Sequence, residues 1–142
     1  MSDPDTVNET PPREDLDFVS SLMTNLSNTY CIDTGRIFSS GMSNGGGLNG
    51  VMICDPLLSS RFAAFGFHSG ALYGSTKTGS TCFPETMVID TIPQPGSLCA
   101  PSRNNIPILE FHGDADGTIS YFGSNDHRGY CLPSLYHYAT VW

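Results

Sequence analysis

The sequence has little positive charge. Its 142 residues include 6 Lys and Arg against 14 Asp and Glu, which gives a formal net charge of -8. Proteins that bind nucleic acid neutralise phosphates with clustered Lys and Arg, so this composition argues against a nucleic-acid partner. An acidic surface is compatible with a neutral or sparsely charged polymer as substrate.

Long apolar runs are also missing. No stretch reaches the roughly 20 apolar residues that a membrane-spanning helix requires, so we expect no membrane partner. Residues 1–13 are acidic and proline-rich, and they lack the basic and apolar regions of a secretory signal peptide. The chain is 39% hydrophobic and 14% charged. This composition and length predict one globular domain with a core.

The cysteines contain no C-x-x-C pair, the spacing typical of zinc and thiol redox sites. The five cysteines are Cys31, Cys54, Cys82, Cys99 and Cys131. So many cysteines in a polar chain indicate disulfides and an oxidising compartment, with reduced thiols in a cytosolic protein as the alternative. An odd number leaves one cysteine without a partner in the chain. Glycosylation sequons at Asn8 and Asn25 also fit secretion.

The spacing of apolar residues predicts an α/β order of elements. We expect a helix over 12–30, a strand over 36–40, a helix that ends near 54–56, strands over 61–67 and 106–112, and a helix over 133–142. This order is typical of a mostly parallel sheet flanked by helices. The stretch from 73 to 105 is rich in Gly, Ser, Thr and Pro without a period, which predicts a long irregular segment.

The segment Gly41-Met42-Ser43-Asn44-Gly45, called the elbow below, has the Gly-x-Ser-x-Gly pattern of a serine-hydrolase nucleophile. Its glycines permit a sharp turn between a strand and a helix, with the Ser43 hydroxyl at the apex. The backbone amide of Asn44 would then donate to the negative charge that develops on a substrate oxygen. A plain glycine-rich turn is the simpler alternative. A phosphate-binding loop is disfavoured because no Gly-Lys-Ser/Thr follows.

Hydrolases with this elbow place a carboxylate and then a histidine after the serine in the chain. Asp114 and Asp116 both qualify as the acid, because they directly follow the apolar strand predicted at 106–112. An Asp-x-Asp calcium loop is the alternative. It is disfavoured because Gly117 comes too early for that motif and no Glu closes it.

The histidine base is harder to place. His127 and His137 follow the acid in the chain, but neither is a strong candidate. His127 lies in a polar stretch that predicts a solvated loop, and His137 lies on the last predicted helix among apolar neighbours. His68 and His112 precede the acid, and we expect them at strand ends near the site.

The elbow and the segment 110–116 resemble those of fungal feruloyl esterases and acetyl xylan esterases, which are akin to polyhydroxybutyrate depolymerases. Shorter segments that resemble the same family lie at 15–19, 30–33, 54–56, 59–65 and 131–134. The resemblance implies an α/β-hydrolase fold, Ser43 as nucleophile and Asp116 as acid. It also implies a secreted esterase that acts on feruloyl or acetyl esters of plant cell-wall xylan through an acyl-enzyme, without metal or organic cofactor.

The resemblance further implies that the chain is incomplete. Members of that family are longer, with a signal peptide, the first strands and a second oxyanion amide before this stretch and the triad histidine after it. We therefore expect one partial α/β-hydrolase domain over residues 1–142, unstable or aggregation-prone by itself and nearly inactive. A non-catalytic remnant and a serine hydrolase of another ester or peptide class are the alternatives.

Overall fold

A computed structural model describes residues 13–72, 81–93, 97–125 and 129–142 of the chain. Over these residues the order of elements is α/β, as the sequence predicts. The elements are α1 (Arg13–Thr29), a 3₁₀ turn (Thr34–Arg36), β1 (Phe38–Met42), α2 (Asn44–Cys54), α3 (Leu58–Arg61), β2 (Ala64–His68), β3 (Ile108–Phe111), β4 (Ser124–Asn125), β5 (Cys131–Leu132) and α4 (Leu135–Val141).

The three longer strands form a parallel sheet in the order β1-β2-β3. In its register Met42 of β1 lies beside His68 of β2, and His68 lies beside Phe111 of β3. The strands therefore end at the same level, and the residues that follow them begin at one edge of the sheet. This edge is where ligands bind in open parallel sheets. The remaining strands, β4 and β5, form a short antiparallel pair.

Helices cover one face of the sheet. Phe65 and Phe67 of the central strand point to this face, and both belong to the main apolar core. The core residues contributed by other parts of the chain include Leu16, Met23, Met52, Ile53, Leu58, Phe62, Leu72, Ile89, Ile92, Ile106 and Tyr138. The alternation of side chains along each strand directs these phenylalanines inward and the intervening residues to the other face.

The other face of the sheet is open over the described residues. Phe38 and Met42 of β1 and Leu109 and Phe111 of β3 lie on it, and their side chains are between 57% and 66% exposed. Parallel sheets are normally covered on both faces. Contiguous apolar surface of this kind favours association with other surfaces, which is the physical basis for expecting the isolated chain to aggregate.

Element boundaries differ from the sequence prediction where local turns intervene. The first strand begins at Phe38, because Asp33 accepts a hydrogen bond from the amide of Gly35 and starts the 3₁₀ turn at Thr34–Arg36. The short elements α3, β4 and β5 were not predicted, since they contain too few residues to show a period. Within the predicted irregular stretch, residues 81–93 and 97–105 form no helix or strand.

Disulfides fasten this irregular stretch to the regular elements. Cys99 is bonded to Cys54 at the end of α2, and Cys82 is bonded to Cys131 on β5. Cys31 is exposed and free. The prediction of disulfides with one cysteine left over is therefore confirmed. Among the described residues, no helix is both long and apolar enough to cross a membrane.

Candidate active site at the carboxyl edge of the sheet

Ser43 connects β1 to α2 in a strained backbone conformation. Its φ of 53° and ψ of -118° lie in a region that residues with a side chain rarely occupy, at a cost of about 1–3 kcal/mol. Its amide donates to the His68 carbonyl over 3.0 Å, and its carbonyl accepts from the amides of Gly47 at 3.1 Å and Ala71 at 3.0 Å. The neighbouring strand, the helix and the turn after β2 therefore hold this conformation together.

Close backbone contacts explain the glycines around Ser43. A Cβ at Gly41 would lie under 3.0 Å from the Gly45 backbone, and a Cβ at Gly46 would lie under 3.0 Å from the Gly70 Cα atom. Gly47 is equally restricted by the turn after β2, whereas a Cβ at Gly45 would meet nothing within 4 Å. Close backbone contacts thus require glycine at positions 41, 46 and 47 but not at position 45. Gly46 and Gly47 lie outside the five-residue pattern.

The helix α2 begins immediately after Ser43. Its first helical hydrogen bond runs from the Gly47 amide to the Ser43 carbonyl, so the amide of Asn44 precedes that ladder and has no acceptor within the helix. The positive end of the helix dipole lies at the same place. This is the position that the sequence predicts for an oxyanion donor, and the side chain of Asn44 is exposed there.

Asp116 is held in the loop after β3. Its Oδ1 atom accepts from the amides of Thr118 at 2.8 Å and Ile119 at 3.0 Å. These bonds, followed by one from the Ser69 hydroxyl, hold the pKa of Asp116 below its usual range. Burial opposes the shift, and His112 adds to it. The carboxyl group therefore remains ionised near neutral pH, and its side chain is 20% exposed.

Asp114 lies in the same loop but is exposed. The turn there is closed by a bond from the Asp116 amide to the Gly113 carbonyl, 3.2 Å long. The structure therefore gives Asp116 the ordered carboxylate, the one that the family resemblance selects. Among the described residues there is no cluster of three or more His, Cys, Asp or Glu side chains that could hold a metal ion.

His112 is enclosed by hydrogen-bond acceptors. Its ring is 4% exposed, with Nδ1 2.9 Å from Glu110 Oε1 and Nε2 2.7 Å from the Ile119 carbonyl oxygen. The same Nε2 atom lies 3.9 Å from Asp116 Oδ2. His112 thus follows β3 beside the predicted acid, as expected for a strand-end residue near the site. Both of its ring nitrogens are engaged.

The other histidines are placed differently. His137 lies on α4, and its Nε2 atom is 2.9 Å from the Met87 carbonyl oxygen. This nitrogen is therefore engaged and is not free to accept a proton as a base. His68 is the exposed last residue of β2. His127 lies outside the described residues.

Ser69 is a residue of this edge that the sequence prediction missed. It follows β2, between the elbow after β1 and the Asp116 loop after β3, and its φ is 47°. Its amide donates to the Phe111 carbonyl over 2.8 Å, and its hydroxyl is one of the groups that lower the pKa of Asp116. The available signal was its position, directly after a buried strand whose neighbours lead to the predicted nucleophile and the predicted acid.

Comparison with known proteins identifies a family. A family model described as "Esterase PHB depolymerase" matches residues 13–119, which is more than half of the chain and includes both Ser43 and Asp116. No curated protein matches the chain, and no solved structure does so.

Proposed function

Because the chain belongs to the esterase PHB depolymerase family, we propose that it is a serine esterase that releases ferulic or acetyl groups from plant cell-wall xylan. The family assignment supports a carboxylic ester hydrolase in general, and the choice of ester rests on the resemblance of its motifs. The observation that carries the serine chemistry is the strained backbone of Ser43 at a strand–helix junction. That strain is sustained by the surroundings and accumulates at functional sites.

The proposed reaction has two steps. The Ser43 oxygen attacks the ester carbonyl and loses its proton to a base, and the proton then passes to the sugar oxygen that leaves. Water next attacks the acyl group on Ser43, which releases the free acid and restores the hydroxyl. The amide of Asn44 donates to the carbonyl oxygen while it carries negative charge.

Asp116 is the proposed acid that orients the base. Its Oδ1 atom is occupied by the amides of Thr118 and Ile119, so the position of the carboxylate is set by the backbone of its own loop. An ionised carboxylate in this role holds a histidine in the required tautomer and stabilises its charged form. No described histidine takes that place, so we assign the base to none of them.

The proposed location is extracellular. The disulfides Cys54–Cys99 and Cys82–Cys131 support an oxidising compartment. The net charge of -8 suits a sparsely charged polysaccharide better than an anionic polymer.

Labelling with a fluorophosphonate probe tests the nucleophile. We expect the chain to form one covalent adduct, mapped to Ser43 by peptide mass spectrometry, and Ser43→Ala to abolish it. Ser60→Ala is the matched control, because Ser60 is an exposed serine outside the proposed site. Failure of the folded wild-type chain to react would contradict the proposal and favour the non-catalytic remnant.

A panel of esters tests the substrate. Feruloyl and acetyl esters of xylo-oligosaccharides are compared with short-chain aryl esters, a polyester oligomer and a peptide amide. Faster release of ferulate or acetate supports the proposed substrate. Preference for a polyester oligomer or a peptide would be compatible with Ser43 as the nucleophile but would contradict the proposed substrate.

A further inference from the structure

Glu110 is a largely buried carboxylate that the proposed reaction does not use. It lies on β3 beside Phe67 of β2, and its side chain is only 12% exposed. A buried charge is costly unless it is paired and hydrogen-bonded. Its Oε2 atom has no hydrogen-bond partner among the described residues, so Oε1 carries the interactions of this group.

The Oε1 atom has contacts in two directions. It accepts from the amide of Gly70 over 3.2 Å and lies 2.9 Å from Nδ1 of His112. The other ring nitrogen of His112 faces the Ile119 carbonyl oxygen, which can only accept, so Nε2 carries a hydrogen. A hydrogen must also lie between Nδ1 and Oε1, because both atoms would otherwise be acceptors, so the two side chains share a proton. Hydrogen bonds in which a partner is ionised are stronger than neutral ones.

One direction leads to the nucleophile. The Gly70 amide, held by Glu110, belongs to the turn after β2, and the next amide along, that of Ala71, donates to the Ser43 carbonyl over 3.0 Å. The same turn packs so closely on α2 that a Cβ at Gly46 would lie under 3.0 Å from the Gly70 Cα atom. A shift of this turn therefore displaces the Ala71 amide and the Gly70 backbone, which hold Ser43 and the start of α2 in place.

The other direction leads to the acid. His112 binds the carbonyl of Ile119 over 2.7 Å, and the amide of the same Ile119 donates to Asp116 Oδ1 over 3.0 Å. Glu110 is thus connected to Asp116 through the His112 side chain and the Ile119 backbone. It is connected to Ser43 through the adjacent amides of Gly70 and Ala71.

We propose that Glu110 is a positioning residue that sets the Ser43 turn and the Asp116 loop relative to one another, through Gly70 and through His112. This inference deepens the proposed function and rests on it. Glu110 touches no reacting atom. Its effect comes from geometry, since a displacement of about 1 Å between reacting groups costs on the order of 100-fold in rate.

The first test is independent of activity. Hydrogen exchange is followed on the full chain as wild type, Glu110→Gln and Glu85→Gln, where Glu85 is an exposed glutamate remote in sequence from both loops. Gln keeps the shape of the side chain but carries no charge and cannot share a proton with Nδ1 of His112 as a carboxyl group can. We therefore expect at least about tenfold faster exchange in residues 113–119 with α1 unchanged, because the charge-assisted bond is lost. Unchanged exchange there, or equal acceleration in α1, would overturn the coupling.

The second test measures the rate at which the fluorophosphonate probe labels Ser43, at a temperature where circular dichroism shows each variant folded. We expect Glu110→Gln to react about 10- to 100-fold more slowly through misplacement of the reacting groups, and Glu85→Gln at the wild-type rate. A wild-type rate in Glu110→Gln would show a purely structural glutamate and overturn the proposal. If the wild type is not labelled, the proposed function fails, while the exchange test still decides the coupling.

A second variant covers the case in which Glu110→Gln does not fold. In His112→Asn the amide nitrogen can replace Nδ1 as the donor to Glu110, whereas nothing replaces the bond to Ile119. We expect faster exchange in residues 113–119 alone, with protection of 69–72 retained and labelling of Ser43 slowed. Equal loosening of both segments, or neither, would contradict the two separate paths.

Discussion

The elbow and the Asp116 loop reach the same edge of the sheet but are held by different kinds of contact. Ser43 is fixed by backbone hydrogen bonds to His68, Gly47 and Ala71 and by backbone packing that only glycine permits. Asp116 is fixed by hydrogen bonds between side chains and the backbone: its own carboxylate accepts from two loop amides, and His112 contacts the Ile119 carbonyl. A substitution at the elbow therefore meets steric overlap, whereas one in the loop removes charge or hydrogen bonds.

This difference leads us to expect the largest effect on rate at the proposed acid, Asp116. Asp116→Asn keeps an oxygen that can accept from the loop amides but removes the charge, and a change of this kind costs about 10⁴-fold in kcat where the acid orients a histidine base. Asp114→Asn is the matched control in the same loop and should change the rate less than about 2-fold, since exposed substitutions away from special features have small effects. Ester hydrolysis by the two variants, compared with wild type, is the measurement. Equal losses in both would remove Asp116 from the proposed role.

At the elbow we expect the largest effect on stability. Gly46→Ala places a Cβ under 3.0 Å from the Gly70 Cα atom, and overpacking of this kind costs about 1–3 kcal/mol. Gly45→Ala is the matched control, because its Cβ meets nothing within 4 Å and alanine favours a helix by about 1 kcal/mol over glycine.

Urea denaturation gives the free energy of unfolding of both variants, and probe labelling reports on Ser43. The comparison predicts opposite signs for stability: Gly46→Ala loses stability and labelling, while Gly45→Ala gains stability and keeps labelling. A destabilised Gly45→Ala beside a tolerant Gly46→Ala would show that the elbow is not held by the backbone contacts described.

The same difference explains how much the sequence reveals. The elbow is a local pattern between a strand and a helix, so the strand–turn–helix around Ser43 and the α/β order were predictable from spacing alone. The contact of Glu110 with Gly70 joins residues 40 apart in the chain, and no local pattern encodes it. The disulfide pairs were unpredictable for the same reason, since spacing does not determine connectivity.

The charge of Asp116 should also be visible in the pH dependence of stability. Its pKa is lowered in the folded chain, first by the Thr118 and Ile119 amides and then by the Ser69 hydroxyl. A carboxylate with a depressed folded pKa contributes stability above its unfolded value and loses it as pH falls through the folded one. Asp116→Asn should therefore be less stable than wild type at pH 6, and the difference should shrink as pH falls below 3.8, the ordinary value for Asp. Thermal unfolding of both proteins across this range measures it. We expect a small effect because the carboxylate is in contact with solvent. A stability difference that stayed constant with pH would show that the charge of Asp116 does not contribute to its bonds with the loop amides.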